Sequence, residues 1–228
     1  ATGLVAGGAV AAAVGVLALR TAGVSFMIVT LMFAQAGYLV ILYLGSVTGG
    51  DEGFVVEATG RKLFGADLAS DGPRAVVAFA LFSAALMINL VLVRSPFGRV
   101  MVAMRENEER SRMLGYNPFT VKLTVLVISG LFSGIAGAAY GILFGYVGAS
   151  FATVQYSILP MLYVLMGGAG TVLGPLLGAG LMFYLVDITS GITTAYFMVV
   201  GVVLVVLVLF APRGVLGAVR ERWLKWLP

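Results

Sequence analysis

Residues 94–122 read RSPFGRVMVAMRENEERSRMLGYNPFTVK, and this charged segment lies between two apolar runs, 75–93 and 123–147. Neither run contains an Asp, Glu, Lys or Arg. About 20 consecutive apolar residues are enough to cross the hydrocarbon core of a bilayer. A segment this charged cannot follow them into lipid, so it has to be a water-facing loop between two transmembrane helices. The fold class follows: an all-α, polytopic bundle of membrane helices.

The pattern extends in both directions. Further apolar runs cover 4–19, 24–44 and 194–210, and a run over 156–187 is interrupted by glycines at 167–171 and by Gly174-Pro175. Of the 228 residues, 61% are hydrophobic and 11% charged, whereas a soluble domain carries about 25% charged residues. Length and composition together predict roughly five to seven crossings in a single membrane domain, 1–228. The chain opens at Ala1, without methionine and already inside an apolar stretch, so it is expected to lack its natural start.

Charge orients the spans. Arg94, Arg99, Arg105, Arg110, Arg112 and Lys122 crowd one loop, and Arg213, Arg220, Arg222 and Lys225 crowd the C-terminal segment. Basic residues favour the cytoplasmic side, which places both segments inside, together with Arg20. The loop 45–74, holding Asp51, Glu52, Glu57, Arg61, Lys62, Asp67 and Asp71, then lies outside. Between 118–147, which leaves the cytoplasm, and 194–210, which returns to it, the chain must cross an even number of times. The stretch 156–187 is therefore two short helices meeting near 167–171, or a re-entrant excursion.

Within the charged loop, 99–114 reads as one helix. Arg105 with Glu109, Glu106 with Arg110, and Glu108 with Arg112 are opposite charges four residues apart, each pair contributing about 0.2–0.5 kcal/mol when exposed. Gly115 supplies a left-handed stop, and Asn117-Pro118 an N-cap and first-turn proline. A helix over 118–147 would be about 45 Å long, against a core of about 30 Å, and would project into the cytoplasm as a lever. Mixed-sign charge suits a protein groove better than a lipid surface, where a purely basic face binds best.

The chain has no cysteine and no histidine, which removes disulfides, thiolate chemistry, most transition-metal sites and the usual general base. A Gly-x-x-x-x-Gly-Lys-Ser/Thr phosphate loop is also absent from the sequence. An embedded enzyme would depend on Asp51, Glu52 and Glu57 with Arg61 and Lys62, a set without a nucleophile.

The run Met104-Arg105-Glu106-Asn107-Glu108-Glu109-Arg110, followed by Gly115-Tyr116-Asn117, resembles the coupling-loop signature of ABC importer permeases. Ser95-Pro96-Phe97-Gly98-Arg99, Thr48-Gly49-Gly50-Asp51-Glu52-Gly53, Gly167-Gly168-Ala169-Gly170-Thr171 with Gly174-Pro175, and Phe210-Ala211-Pro212-Arg213-Gly214 are similar, in order, to the branched-chain amino-acid permease family of M type. Members of that family carry additional hydrophobic segments at the front. The resemblance implies a transport subunit of the bacterial or archaeal inner (plasma) membrane, with no catalytic residue, no metal and no cofactor of its own. Its implied partners are a second permease subunit, two cytoplasmic ABC ATPases that use ATP and Mg, an external substrate-binding protein and the lipid bilayer, with no nucleic acid. Arg105, Glu106, Asn107, Glu108, Glu109, Arg110, Arg112 and Gly115 are implied to dock into an ATPase groove. Branched-chain amino acids are the family's usual cargo, while urea and short-chain amide permeases share the pattern. A self-contained channel or secondary transporter is the competing class.

Inside the spans, Gly130, Gly134, Gly137, Gly141 and Gly145 are spaced for close helix packing. Thr30, Gln35, Asn89, Ser129 and Ser133 are the deepest polar residues and are expected to bond to neighbouring helices. Thr30, Gln35 and Asn89, with Gly167, Gly168, Gly170 and Thr171, are the candidate pathway residues. Asp187 is expected at an interface. With no charge at mid-membrane, a zwitterionic substrate would meet only neutral dipoles and glycine backbone, which predicts low-affinity passage and selectivity set by the external binding protein.

Overall fold

The computed structural model describes residues 2–56, 62–63, 66–68, 70–168, 170–193, 195–210, 214 and 216. Glu57, Arg61, Ala169, Thr194 and the basic residues Arg213, Arg220, Arg222 and Lys225 lie outside this set, as do three residues of the 210–214 motif. Among the described residues the protein is built from α-helices, with two-residue strands and a short 3-10 turn between them, and the chain divides into two compact units, Ala1–Thr153 and Val154–Pro228.

The first unit is organised on a pair of helices, α1 (Thr2–Ala18) and α7 (Pro118–Phe144). Gly3 approaches Gly134 and Ala138, Gly7 approaches Gly130, and Gly15 approaches Leu123 and Leu126. Rising positions on one helix meet falling positions on the other, so the pair is antiparallel. Glycines let the two backbones close to within a side chain's width, which in lipid is a main source of helix association. Only Gly130 and Gly134 of the five expected packing glycines serve this contact. Gly137 faces open space, Gly141 lies under the Val147 side chain, and Gly145 ends the helix at φ +73°.

The helix α7 is thus 27 residues long, about 40 Å, and stops short of the expected 147. Residues Tyr146–Val147 instead form a strand, paired antiparallel with Phe54–Val55. Gly53 sits at φ +70°, and a Cβ there would meet Gly148 Cα at 2.7 Å; only glycine fits so close an approach at that backbone angle.

The antiparallel packing fixes which loops share an end. Leu19, next to Arg20, lines the same groove as Tyr116, Asn117 and Lys122 at the start of α7. Residues 54–55 lie at its far end, where the guanidinium of Arg74 stands 5.6 Å over the Phe144 ring and also pairs with Asp71. Rings of Tyr140, Phe144, Tyr146 and Phe151 cluster there, with centroids 4.5–5.8 Å apart.

The helices α2 (Val24–Tyr43) and α4 (Asp71–Arg94), with the single turn α3 (Gly45–Thr48) between them, contain no buried residue. The two long helices are apolar on every side, as helices bathed in lipid or covered by another subunit are. The helix α4 begins at Asp71, four residues before the apolar run, because Asp71 and Arg74 form a first-turn pair.

In the second unit, α8 (Val154–Gly167) and α9 (Gly174–Ile192) form an antiparallel hairpin, with Gly178 against Tyr163 and Gly167. The break falls at the glycine-rich stretch, and Pro175 opens α9 in its first turn. Asp187 does not end its helix, which continues to Ile192, and it is exposed. Met166, Met182, Val200 and Leu204 form the core between this hairpin and α10 (Tyr196–Phe210). Among the described residues four helices, α2, α4, α7 and α9, are long and apolar enough to cross a membrane, and three shorter apolar helices accompany them.

Candidate functional site

The charged segment folds as a sequence of capped corners. Ser95 turns the chain out of α4: its hydroxyl donates to Leu92 O at 2.6 Å and accepts from Gly98 N at 3.1 Å. Pro96 follows in the first turn of α5 (Pro96–Glu106). Gly98 is packed against the Leu92 and Val93 carbonyls, where a side chain has no room.

The expected single helix over 99–114 is not formed. It breaks at Asn107, whose backbone is extended at φ −155°, ψ 104°, and a second helix, α6 (Glu108–Met113), starts there. The Asn107 side chain accepts from Arg110 N at 2.9 Å, an N-cap that competes with continuing the first helix. The break separates Arg105 from Glu109 and Glu106 from Arg110, so neither expected pair forms; Glu108 and Arg112, both within α6, do pair at 3.4 Å. Glu108 and Glu109 occupy the first turn of α6 and Arg112 its last, the arrangement that suits a helix dipole.

The far end of α6 is fixed as the sequence predicts. Gly115 is left-handed at φ +89°, and Asn117 caps α7 by accepting from Phe119 N at 3.0 Å. Ser111, only 2% exposed, donates its hydroxyl to Asn107 O, while Tyr116 N donates to Ser111 O. The corner is thus internally hydrogen-bonded, and its charged groups Arg105, Glu106, Glu109, Arg110 and Arg112 are left exposed.

Two features of this corner lie outside the charge pairings that the sequence suggests. Glu108 accepts a charged hydrogen bond from Lys122 Nζ at 2.5 Å, fourteen residues on and in the second turn of α7. That hydrogen bond, together with the charges of Lys122 and Arg112, outweighs partial burial and holds the Glu108 carboxyl below the usual carboxylate range. Met113 and Leu114 are 86% and 71% exposed, an apolar tip on a charged helix. The tip is visible in the sequence as two apolar residues after Arg112; the ion pair is not, because no local spacing rule links positions so far apart. Glu108, Arg112, Tyr116, Phe119 and Lys122 line an open groove of about 500 Å³.

Of the candidate pathway residues, Thr30, Gln35 and Asn89 belong to the first unit. The Thr30 hydroxyl donates to Phe26 O and Met27 O, and the Asn89 amide to Ala85 O, all at 2.9–3.0 Å. These bonds stay within each residue's own helix rather than crossing to a neighbour, which satisfies the group without help from another helix. Gln35, Ser129 and Ser133 are exposed. Gly167, Gly168, Gly170 and Thr171 belong to the second unit, where Thr171 donates to Gly168 O at 3.2 Å and closes the hairpin turn. Among the described residues no group of acidic side chains could hold a metal ion.

Long apolar helices joined through a charged, capped corner define a multi-pass helical membrane protein. More narrowly, the chain belongs to the family described as branched-chain amino acid transport system / permease component, whose model matches residues 1–209. It is 29% identical to the high-affinity branched-chain amino acid transport system permease protein LivM of Escherichia coli, over 94% of this chain and 57% of that protein. The LivM protein of Salmonella typhimurium is 28% identical over the same shares. The chain therefore spans a little over half the length of these relatives. It is also 29% identical to the autoinducer 2 import system permease protein LsrC of Photorhabdus laumondii, over 45% of this chain and 31% of that protein. No solved structure matches.

Proposed function

We propose that the chain is the membrane-spanning permease part of an ABC importer that carries branched-chain or related hydrophobic amino acids inward. In this reading separate cytoplasmic ATPase subunits use ATP and Mg, a second permease subunit completes the pathway, and an external binding protein delivers the cargo. The chain itself performs no catalysis.

The observation that carries the reading is the corner at α6. It is short, capped at both ends, exposed in its charges and tipped by Met113 and Leu114. An apolar anchor ringed by charges is the composition of a protein-binding surface, and a lipid-facing surface would carry one sign of charge. Arg105, Glu106, Asn107, Glu108, Glu109, Arg110, Arg112 and Gly115 form the docking surface in this proposal, and ATP-driven closure of the ATPase pair would rock the helices joined to it.

The similarity to the autoinducer 2 permease supports a second reading in which the cargo is another small solute. In either case the pathway is drawn from Thr30, Gln35, Asn89, Gly167, Gly168, Gly170 and Thr171. Replacing Glu108→Lys together with Glu109→Lys tests the assignment. Joint loss of co-purifying ATPase and of substrate uptake is expected, whereas unchanged uptake would contradict it.

A further inference from the structure

The six-residue helix α6 is too short to hold its own orientation. It is attached to α5 through the extended Asn107 and to α7 through the left-handed Gly115, so each end is a corner about which it could pivot. A partner pulling on such an element would swing it without moving α7 unless something braces it.

The brace is present. Glu108 stands at the start of α6, away from the Gly115 corner, and one of its oxygens meets Lys122 on α7 at 2.5 Å. The other oxygen faces Arg112, at the opposite end of α6, at 3.4 Å. The corner ties the end of α6 to α7 and the ion pair ties its beginning, which closes a triangle. From Lys122 the helix α7 continues along its packed partner α1 to the Tyr146–Val147 strand at the far end. A force entering at α6 is thereby applied to the longest helix of the unit.

We propose that Lys122 is a positioning residue for transport, and that its ion pair with Glu108 is the clasp passing motion of α6 into α7. This rests on the reading of α6 as the surface gripped by an ATPase. Both side chains are about 40% exposed, so the pair is weak while α6 is bare. A subunit seated over α6 excludes water, lowers the local dielectric and strengthens the clasp when the load arrives.

The test compares Lys122→Gln, Lys122→Arg and Glu108→Gln in the assembled importer reconstituted with its ATPase and binding protein. Three quantities are read: ATPase retained on purification, ATP hydrolysed, and substrate moved per ATP. Lys122→Gln should retain the ATPase and its hydrolysis while substrate moved per ATP falls by up to roughly fivefold, the upper end for one exposed ion pair. Lys122→Arg should restore the ratio, and Glu108→Gln, which removes the clasp and also alters the docking surface, should lower it at least as far. Adding Lys122→Gln to Glu108→Gln should cause no further fall, because both remove the same contact. An unchanged ratio in Lys122→Gln overturns the clasp. Loss of bound ATPase in that variant also overturns it, since Lys122 would then be a docking contact, and so does additive loss in the double variant. Failure of the unaltered protein to retain any ATPase would instead refute the underlying reading.

Discussion

Gly3 and Gly134 face each other so closely that a Cβ on Gly3 would lie 2.8 Å from the Gly134 carbonyl oxygen. The contact is backbone against backbone, so no side chain can move aside to relieve an added methyl. Gly134→Ala should therefore destabilise the protein by about 1–3 kcal/mol, the usual cost of overpacking. Gly137, one turn away with nothing within 4 Å of a Cβ, is the matched control. Gly137→Ala should be neutral or stabilising by up to about 1 kcal/mol, the helix-propensity difference. Unfolding midpoints in detergent check both, and equal effects would mean that α1 does not pack as described.

Asn107 holds the break between α5 and α6 through its hydrogen bond from Arg110 N. Asn107→Ala removes that cap, worth about 1 kcal/mol, and exchange of the Arg110 amide should speed about fivefold. Asn107→Asp, which caps equally well, should leave exchange unchanged. Equal exchange rates in the alanine and aspartate variants would show that the side chain does not hold the break.

Glu108 makes the corner sensitive to acid. Its folded-state carboxyl is held below the ordinary value, chiefly by the Lys122 hydrogen bond. The stabilisation is therefore present above the ordinary carboxylate range and lost as pH falls through the depressed folded value. The effect is small, because the pair is half-exposed. In Lys122→Gln the Glu108 titration, followed by carboxyl carbon NMR, should move upward. A titration that stays in place would show that Lys122 does not contact it in solution.

Much of this architecture is legible in the sequence, for identifiable reasons. Gly115, Asn117 and Pro118 act through local backbone rules, so the corner before α7 is readable from three residues. The glycines at 167–171 likewise mark the hairpin turn. What escapes is decided by competition or by distance. At Asn107 the charged spacings favour one helix and the side-chain cap favours two, and the cap prevails. The end of α7 depends on Phe54–Val55, a pairing partner some ninety residues away. Gly130 and Gly137 look alike in the helical spacing, yet only one faces α1. Thr30 and Asn89 read as bridges to other helices, but their own backbones are nearer.

In the proposed importer α6 faces the cytoplasm and is covered there by an ATPase. Because the sequence contains no cysteine, a single Glu109→Cys substitution gives a unique site for a membrane-impermeant thiol reagent. The site should be silent in intact cells, react in inverted membrane vesicles stripped of the ATPase, and be protected when the ATPase is restored. Labelling in intact cells, or equal labelling with and without the ATPase, would rule out a cytoplasmic, ATPase-covered α6.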